Sequence, residues 1–296
     1  MSSVVALGGN ALTRPGERGT AAEQLANVRR AVAALGELLA EPQLVLTHGN
    51  GPQVGNALLR QERAAEEAPP LPLWLAVAQT QAEIGALLAA ELRPALGERQ
   101  VVGVLTHVRV APDDPAFDRP TKPIGPFYSD EQAEQLEGER GWATVADANR
   151  GRRRVVASPA PLEVVELETI RTVVESGAVA IAVGGGGIPV VRRGGRLAGV
   201  DAVIDKDRAS ALLARELGAD RLVILTEVPA LYRYFGTDRQ EEIDELSLED
   251  AKALLPELAE GSMRPKVEAA VAFGGQTLIT SFEGLAAGRG TRIGQS

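Results

Sequence analysis

The sequence has no cysteine and only two histidines, His48 and His107, among its 296 residues. The lack of cysteine excludes disulfides, thiolate zinc sites and a cysteine nucleophile, and two histidines leave little for a histidine-based metal site. Such a composition fits a reducing compartment. The chain is long enough to bury a sizeable core without cross-links, so a small stapled scaffold is also excluded.

Lysine is scarce, although positive charge is not. The formal net charge of −9 argues against a general nucleic-acid surface. Of the 31 basic residues, 27 are arginine and only four are lysine: Lys122, Lys206, Lys252 and Lys266. Arginine supplies almost all of the positive charge in this chain. Each lysine therefore either has a functional explanation or is present by chance.

Long uncharged runs are missing too. Residues 68–81 and 178–191 are too short, or too broken by proline and glycine, to span a bilayer as a helix of about 20 residues. Residues 1–12 have no basic start and run into Gly8-Gly9-Asn10, unlike a signal peptide. We therefore expect a soluble, cytoplasmic protein without a membrane segment.

Short β-branched or leucine-rich runs alternate with longer helical patterns, which predicts an α/β fold with a mostly parallel, buried sheet. The predicted strands are residues 4–7, 44–47, 101–105, 178–183, 221–226 and 277–280. The predicted helices are residues 21–40, 52–67, 73–92, 168–176, 207–217, 247–255 and 264–273.

Residues 111–156 interrupt this alternation with five prolines and end in the basic run 150–154. Proline cannot donate a hydrogen bond within a central strand, so we interpret this segment as an excursion from the sheet. The arginine run is either an anion site or a solvated face, and the second reading is favoured because surface charges are common and weak.

Three glycine-rich turns follow predicted strands: Gly8-Gly9-Asn10, Gly49-Asn50-Gly51 and Gly184 to Gly187. Turns at the carboxyl ends of parallel strands line the ligand crevice, where glycine lets backbone N–H groups approach an anion. Any one of these turns alone is better explained by the need for a tight turn than by ligand binding. Four consecutive glycines, however, destabilise the folded protein unless another group must come close to their backbone. Neither a Rossmann dinucleotide motif nor a P-loop is present in a usable context.

Three lysines sit in unusual surroundings, and Lys252 alone sits in an ordinary amphipathic stretch. A lysine ammonium is a compact charge that can follow a moving phosphoryl group, which makes Lys122, Lys206 and Lys266 candidates for phosphoryl transfer. Asp205 lies at the start of a predicted helix, and a role as partner of the helix dipole explains it as well as a role in the site does. For Asp207 we favour a functional role, in which its carboxylate orients the lysines or binds Mg²⁺ directly or through water. Both histidines are interpreted as structural.

The motifs resemble those of the carbamate kinase family within the amino acid kinase superfamily. The matching segments run in the same order from end to end: residues 4–12, 47–55, 120–127, 184–191, 202–207, 261–266 and 290–293. The most specific are Pro-Thr-Lys-Pro-Ile-Gly-Pro-Phe at 120–127 and Gly-Asn-Gly-Pro-Gln-Val-Gly at 49–55.

The resemblance implies a three-layer αβα sandwich and the reaction ATP + carbamate ⇌ ADP + carbamoyl phosphate, serving ATP formation in arginine or purine-derivative catabolism. It implies an N-terminal lobe, residues 1–200, with a protruding subdomain at about 111–156, and a nucleotide-binding lobe, residues 201–296. The catalytic residues would be Lys122, Lys206, Asp207 and Lys266. Carbamate or carbamoyl phosphate would be bound by Gly8, Gly9, Asn10, Gly49, Asn50, Gly51, Gly185 and Gly186.

By the same resemblance, ATP or ADP with Mg²⁺ would lie near Thr226, Val228, Tyr232, Phe235, Met263 and Lys266, with Asp207 reaching the metal through water. A homodimer is implied, and it would bury the apolar segment 71–77. No nucleic-acid or membrane partner is expected. Two alternatives stay open: an amino acid kinase with another acyl acceptor, such as acetylglutamate, and a non-catalytic ligand-binding relative. A kinase with a longer acceptor would need another cation, near the second carboxylate of that acceptor. A non-catalytic relative would not require the retained lysines.

Overall fold

Strands and helices alternate along the chain as the apolar pattern predicts. The computed structural model describes residues 1–8, 12–14, 16–146, 151–258 and 263–294. The strands are β1 Ser2–Leu7, β2 Gln43–His48, β3 Val101–Gly103, β4 His107–Arg109, β5 Lys122–Tyr128, β6 Ala143–Ala146, β7 Arg152–Val156, β8 Glu163–Val164, β9 Val179–Ile181, β10 Ile188–Arg193, β11 Arg196–Gly199, β12 Arg221–Leu225, β13 Leu231–Arg233, β14 Glu241–Ile243, β15 Glu245–Leu246, β16 Gln276–Thr280 and β17 Thr291–Ile293.

The α-helices are α1 Ala21–Leu35, α2 Gly51–Arg63, α3 Leu73–Leu96, α4 Asp130–Arg140, α5 Leu167–Glu175, α6 Lys206–Leu217, α7 Leu248–Leu254, α8 Met263–Phe273 and α9 Phe282–Ala286. Short 3₁₀ turns lie at Gly36–Ala40, Pro115–Phe117, Gly184–Gly186 and Leu255–Glu257.

The main sheet has eight strands in the order β15-β17-β16-β12-β1-β2-β9-β3, parallel except where β17 runs antiparallel to β16. Successive residues of β1 point to opposite faces. Val4 lies in one apolar core with Ile170 of α5 and Leu213 of α6. Val5 lies in the other with Val28 of α1 and Ile84 of α3. Helices therefore cover both faces, which confirms the predicted αβα sandwich.

In the part of the chain that the structure describes, α3 alone is long and apolar enough to cross a membrane. In this fold it is a core helix, since Ile84, Leu88 and Leu92 pack between the main sheet and α1.

The proline-rich excursion contains a separate three-stranded antiparallel sheet, ordered β5-β7-β6, which we call the small sheet. Pro123 and Pro126 both lie in β5, an edge strand, where a missing N–H donor does the least harm. The predicted boundaries of the two lobes, 1–200 and 201–296, stay predictions.

Two features differ from the sequence-based expectation. A second, four-stranded sheet, ordered β11-β10-β4-β8, contains a β10–β11 hairpin closed by Gly194-Gly195. That two-glycine turn, with φ of +55° and +76°, is a hairpin signal that the interpretation of the sequence missed. Part of the segment 71–77 is also covered within one chain, because Leu73, Ala76 and Val77 are buried against α2 and the small sheet; Leu71 is exposed, and its burial in a homodimer stays a prediction.

Candidate active site

The carboxyl ends of the parallel strands bring the glycine turns to one edge of the main sheet. Gly8 follows β1, Gly49 follows β2, and the turn at Gly184–Gly186 comes just after β9. We call Gly8, the turn 49–51 and the turn 184–187 the glycine edge. Gly9 and Asn10, both predicted to bind the acceptor, lie outside the described residues.

Protein neighbours account for the four consecutive glycines. A Cβ on Gly185 would lie 2.4 Å from the side chain of Asn50, and one on Gly186 would lie 2.2 Å from the carbonyl oxygen of Ile204. Gly185 and Gly186 also have φ of +66° and +86°, values that side chains disfavour. The turn therefore joins the 49–51 turn to the segment that leads into α6, and any larger residue would push these parts of the glycine edge apart.

His48 is buried inside this edge and is neutral. Its Nδ1 lies 3.0 Å from the Gly49 carbonyl oxygen, which can only accept, so Nδ1 carries the proton. Burial lowers the pKa of His48 to about 4, against a smaller opposing effect of that hydrogen bond. Its Nε2 has no hydrogen-bond partner among the described residues, and Gly184 packs directly against it. The structural interpretation of His48 fits this geometry.

The start of α6 places two aspartates and a lysine beside the glycine edge. Asp205 is the N-cap, and its Oδ1 accepts from the backbone N–H groups of Asp207, at 2.9 Å, and Arg208. Ser210 on α6 forms a 2.6 Å hydrogen bond with Thr47 of β2. The helix is therefore fixed directly against the carboxyl end of β2.

Asp207 lies between two lysines. Its Oδ1 accepts from Lys206 Nζ, and its Oδ2 accepts from Lys266 Nζ, on α8, at 3.1 Å. Burial raises the pKa of Asp207, but the two ammonium groups outweigh burial and hold this pKa below its usual value. Burial lowers the pKa of Lys206, whereas for Lys266 the nearby carboxylates outweigh burial and raise the pKa.

Lys122 reaches the same cluster from the small sheet. Its Nζ donates to Asp205 Oδ2 at 2.5 Å. The small sheet gets this close because a Cβ on Gly55 of α2 would fall 2.0 Å from the Cα of Gly125 in β5, so the two backbones touch. Burial raises the pKa of Asp205, but Lys122, and then Lys206 and Lys266, more than offset this and lower it. Three predicted catalytic lysines therefore surround two adjacent aspartates.

These aspartates do not fit direct metal coordination as they stand. Both oxygens of Asp207 accept from lysine, and Asp205 is occupied by Lys122 and the helix cap. Across residues 1–8, 12–14, 16–146, 151–258 and 263–294, no group of three or more acidic or histidine side chains could hold a metal ion. Water-mediated contact between Asp207 and Mg²⁺ stays a prediction.

The predicted nucleotide residues come from the segment that follows β12, from β13 and the turn after it, and from the start of α8. Thr226 and Val228 follow β12, Tyr232 lies in β13, and Met263 begins α8 one turn before Lys266. Phe235, 65% exposed, stacks at a tilt on Tyr232 with ring centroids 5.9 Å apart. These residues therefore lie in chain segments that follow β12 or begin α8, and their contacts with a nucleotide stay predictions.

Two charged residues at this site were not assigned to it from the sequence. For Asp205 the sequence left a role as helix-dipole partner and a site role equally open, and its contact with Lys122, 83 residues away, leaves no local sequence signal. Arg153 comes from the arginine run, and its Nη2 lies 3.9 Å from where a Cβ on Gly51 would be. Strand alternation separates it from Arg152 and Arg154, which pair with Glu137 and Glu62. The run is therefore not one uniform solvated face.

Known proteins are similar to this chain over almost its whole length. The model of the amino acid kinase family matches residues 1–277. The carbamate kinase of Halobacterium salinarum is 49% identical over 288 residues, covering 95% of this chain and 93% of that protein. The chain belongs to the carbamate kinases of the amino acid kinase family.

Solved structures of this family agree with the fold. Carbamate kinase from Giardia lamblia bound to citric acid superimposes with a TM-score of 0.92 at 38% identity, over 99% of this chain and 97% of that one. The same enzyme bound to AMP-PNP gives a TM-score of 0.87 at 38% identity, over 99% and 98%. A carbamate kinase fold thus spans the chain, including the small sheet.

Proposed function

We propose that this member of the carbamate kinases catalyses ATP + carbamate ⇌ ADP + carbamoyl phosphate. The observation that carries the proposal is the cluster in which Lys122, Lys206 and Lys266 surround Asp205 and Asp207 beside the glycine edge. Its net positive charge suits a phosphoryl group in transfer, which moves as a dispersed anion.

The protonation of the cluster fits an acceptor that needs no base. The neighbouring lysines lower the pKa of both aspartates despite burial, and His48 is a buried neutral ring already bonded to Gly49. These groups are therefore weak proton acceptors at neutral pH. Carbamate is already an anion, so its oxygen can attack without losing a proton.

The lysines would act by position and charge. Two unit charges 4 Å apart interact by about 4 kcal/mol at an effective dielectric near 20, which is large on the scale of a reaction barrier. Asp207 holds Lys206 and Lys266 on its two oxygens, so their ammonium groups converge. We assign to Lys206 and Lys266 the neutralisation of the transferred phosphoryl group, and to Lys122 assistance from the small sheet.

The acceptor is assigned to the glycine edge. Gly51 begins α2, whose first N–H groups favour an anion, and Arg153 approaches the same turn. Gly8, Gly49, Asn50, Gly185 and Gly186 complete this side of the site. Gly9 and Asn10 belong to the same assignment through the family resemblance alone.

The nucleotide is assigned to the side of β12 and α8, in the lobe 201–296. A relative bound to AMP-PNP supports nucleotide use, and Thr226, Val228, Tyr232, Phe235 and Met263 are its proposed contacts here. Mg²⁺ would arrive on the phosphates and keep water ligands, as this ion usually does. A cytoplasmic homodimer, acting in arginine or purine-derivative catabolism, completes the proposal.

One observation favours the alternative of a longer acyl acceptor. Such an acceptor needs a cation for its second carboxylate, and Arg153 supplies one near the 49–51 turn. The full-length similarity to carbamate kinases weighs against this alternative. The retained lysine cluster weighs against a non-catalytic relative, because binding a ligand without transferring a phosphoryl group does not require three ammonium groups around two carboxylates.

The experiment measures ATP formed from ADP and Mg²⁺ with three phosphoryl donors: carbamoyl phosphate, acetyl phosphate and N-acetylglutamyl phosphate. We expect carbamoyl phosphate to be preferred by roughly tenfold or more in kcat/KM. Preference for N-acetylglutamyl phosphate would replace the proposal with the longer-acceptor reading. No ATP from any donor would favour the non-catalytic reading.

A further inference from the structure

Asp205 uses its two carboxylate oxygens in two different parts of the molecule. One oxygen, Oδ1, caps α6 by accepting from the backbone of Asp207 and Arg208. The other, Oδ2, accepts from the ammonium of Lys122. Asp205 is 8% exposed and the side chain of Lys122 is 28% exposed, so this contact is partly buried.

The helix cap explains only half of this arrangement. Serine or asparagine would cap α6 about as well as aspartate. An amide offers one acceptor oxygen and a hydroxyl is too short to serve both places, whereas a carboxylate offers two oxygens and a charge. The second oxygen is the feature that only an acidic residue supplies at this position.

The contact joins two sheets that share no strand. Lys122 is the first residue of β5, an edge strand of the small sheet, and α6 packs on the main sheet. The backbone of β5 is held against α2 at Gly55, which fixes where the strand lies. The end of the long Lys122 side chain is fixed by Asp205, because such a flexible side chain otherwise samples many rotamers.

We propose that Asp205 is a positioning residue, which holds the Lys122 ammonium beside Lys206 before a phosphoryl group arrives. An ammonium has three N–H donors, so the bond to Asp205 leaves two for phosphoryl oxygens. This inference rests on the proposed function, in which Lys122 assists the transfer. It assigns to Asp205 a role that is distinct from that of Asp207, which holds the other two lysines.

The kinetic test is a double-mutant cycle that uses Asp205→Asn, Asp205→Ser and Lys122→Ala. Asparagine and serine keep the cap but lose the second, charged acceptor. We expect each to lower kcat by roughly 10- to 100-fold, the scale for a misplaced catalytic group, with KM for ADP within about twofold. In the Lys122→Ala background the same substitutions should cause no further loss, because their target is gone.

The matched control is Asp114→Asn. Asp114 also caps a turn with one oxygen, accepting from Ala116, and uses the other oxygen elsewhere, accepting from the backbone of Ala160, but it contacts no lysine. This variant should keep parental kcat. A loss from Asp205→Asn that is equally large with and without Lys122 would overturn the inference, as would no loss at all.

Hydrogen exchange of the ligand-free protein tests the same inference without activity. Asp205→Asn should raise exchange in β5 and leave α6 protected, whereas unchanged exchange in β5 would overturn the inference. If the parent protein forms no ATP, the proposed function fails, and the exchange result still decides the role of Asp205. If the parent forms ATP and the cycle is additive, only the present inference fails.

Discussion

The glycine edge and the small sheet both face the lysine cluster, yet they are built from different interactions. The glycine edge depends on backbone packed so closely that no side chain fits, as at Gly186 against Ile204. The small sheet has one such backbone contact, between Gly125 and Gly55 of α2, and otherwise depends on charged and aromatic side chains. Beside this sheet, the ring of Trp142 contacts Arg140 of α4 and Arg154 of β7, whose guanidinium carbons are 5.4 Å and 4.4 Å from the ring centroid, and Glu62 of α2 pairs with both arginines.

This difference suggests that the two regions differ in how easily they move. Close backbone packing has one well-defined arrangement and resists displacement, whereas half-exposed ion pairs are weaker and can rearrange. We therefore expect the acceptor turns and the start of β5 to be fixed in place, while the strands of the small sheet that lie away from the Gly55 contact, β6 and β7, open more readily.

The largest effect should come from placing a side chain in the glycine edge. Gly186→Ala adds a Cβ 2.2 Å from Ile204 O at a φ of +86°. We expect a loss of about 3 kcal/mol or more in the free energy of unfolding. The control Gly195→Ala, in the hairpin turn at φ +76° with nothing within 4 Å, should lose only about 1 kcal/mol. Chemical denaturation measures both variants. Equal losses of unfolding free energy in Gly186→Ala and Gly195→Ala would show that the glycine edge is not packed more closely than an ordinary turn.

The second effect concerns pH and the buried His48. Its pKa is about 4 in the folded protein, against about 6.5 for an ordinary histidine, so the unfolded chain binds more protons between these values. Stability therefore falls as pH drops from 6.5 towards 4, by up to about 3 kcal/mol from this residue. His48→Gln should flatten this part of the curve of unfolding free energy against pH.

His107 is the contrasting control for that measurement. Its hydrogen bond with Glu166 raises the pKa of His107 although burial opposes it. Its contribution is therefore present below pH 6.5 and lost as pH rises through the raised value. His107→Gln should change the curve on the neutral side, and a loss of the acid slope in this variant instead would contradict the assignment to His48.

The smallest effect should come from the small sheet. Arg154→Ala removes the contact with Trp142 and the ion pair with Glu62, which together contribute about 1–2 kcal/mol. We expect faster hydrogen exchange in β5, β6 and β7 with little change in the main sheet. Arg192→Ala, which removes an exposed ion pair with Glu163, should leave exchange in these strands as it is. Equal loosening of the main sheet by Arg154→Ala would show that the two regions open together.

The fold was predictable because apolar periodicity and strand-end glycines are local signals. The six predicted strands of the main sheet all occur, and the αβα layers are confirmed. The predicted close approach to the four consecutive glycines also occurs, but the neighbours include Asn50 and Ile204 of the protein itself. A glycine run indicates that something comes close, without saying what.

The site was predictable only in part, because its remaining contacts join distant segments. The lysines stood out by their rarity, and the structure brings Lys122, Lys206 and Lys266 together. The second contact of Asp205 and the approach of Arg153 to Gly51 depend on where the small sheet packs. Neither short spacing nor composition carries that information.

The central claim is that the lysine cluster stabilises a phosphoryl group during its transfer. The most direct measurement is the rate at which three proteins form ATP from ADP, Mg²⁺ and carbamoyl phosphate. The parent should form ATP, Lys206→Ala should be slower by roughly 100- to 1,000-fold, and Lys252→Ala, at an exposed lysine of α7, should match the parent. Full activity of Lys206→Ala, or an equal loss in Lys252→Ala, would contradict the account.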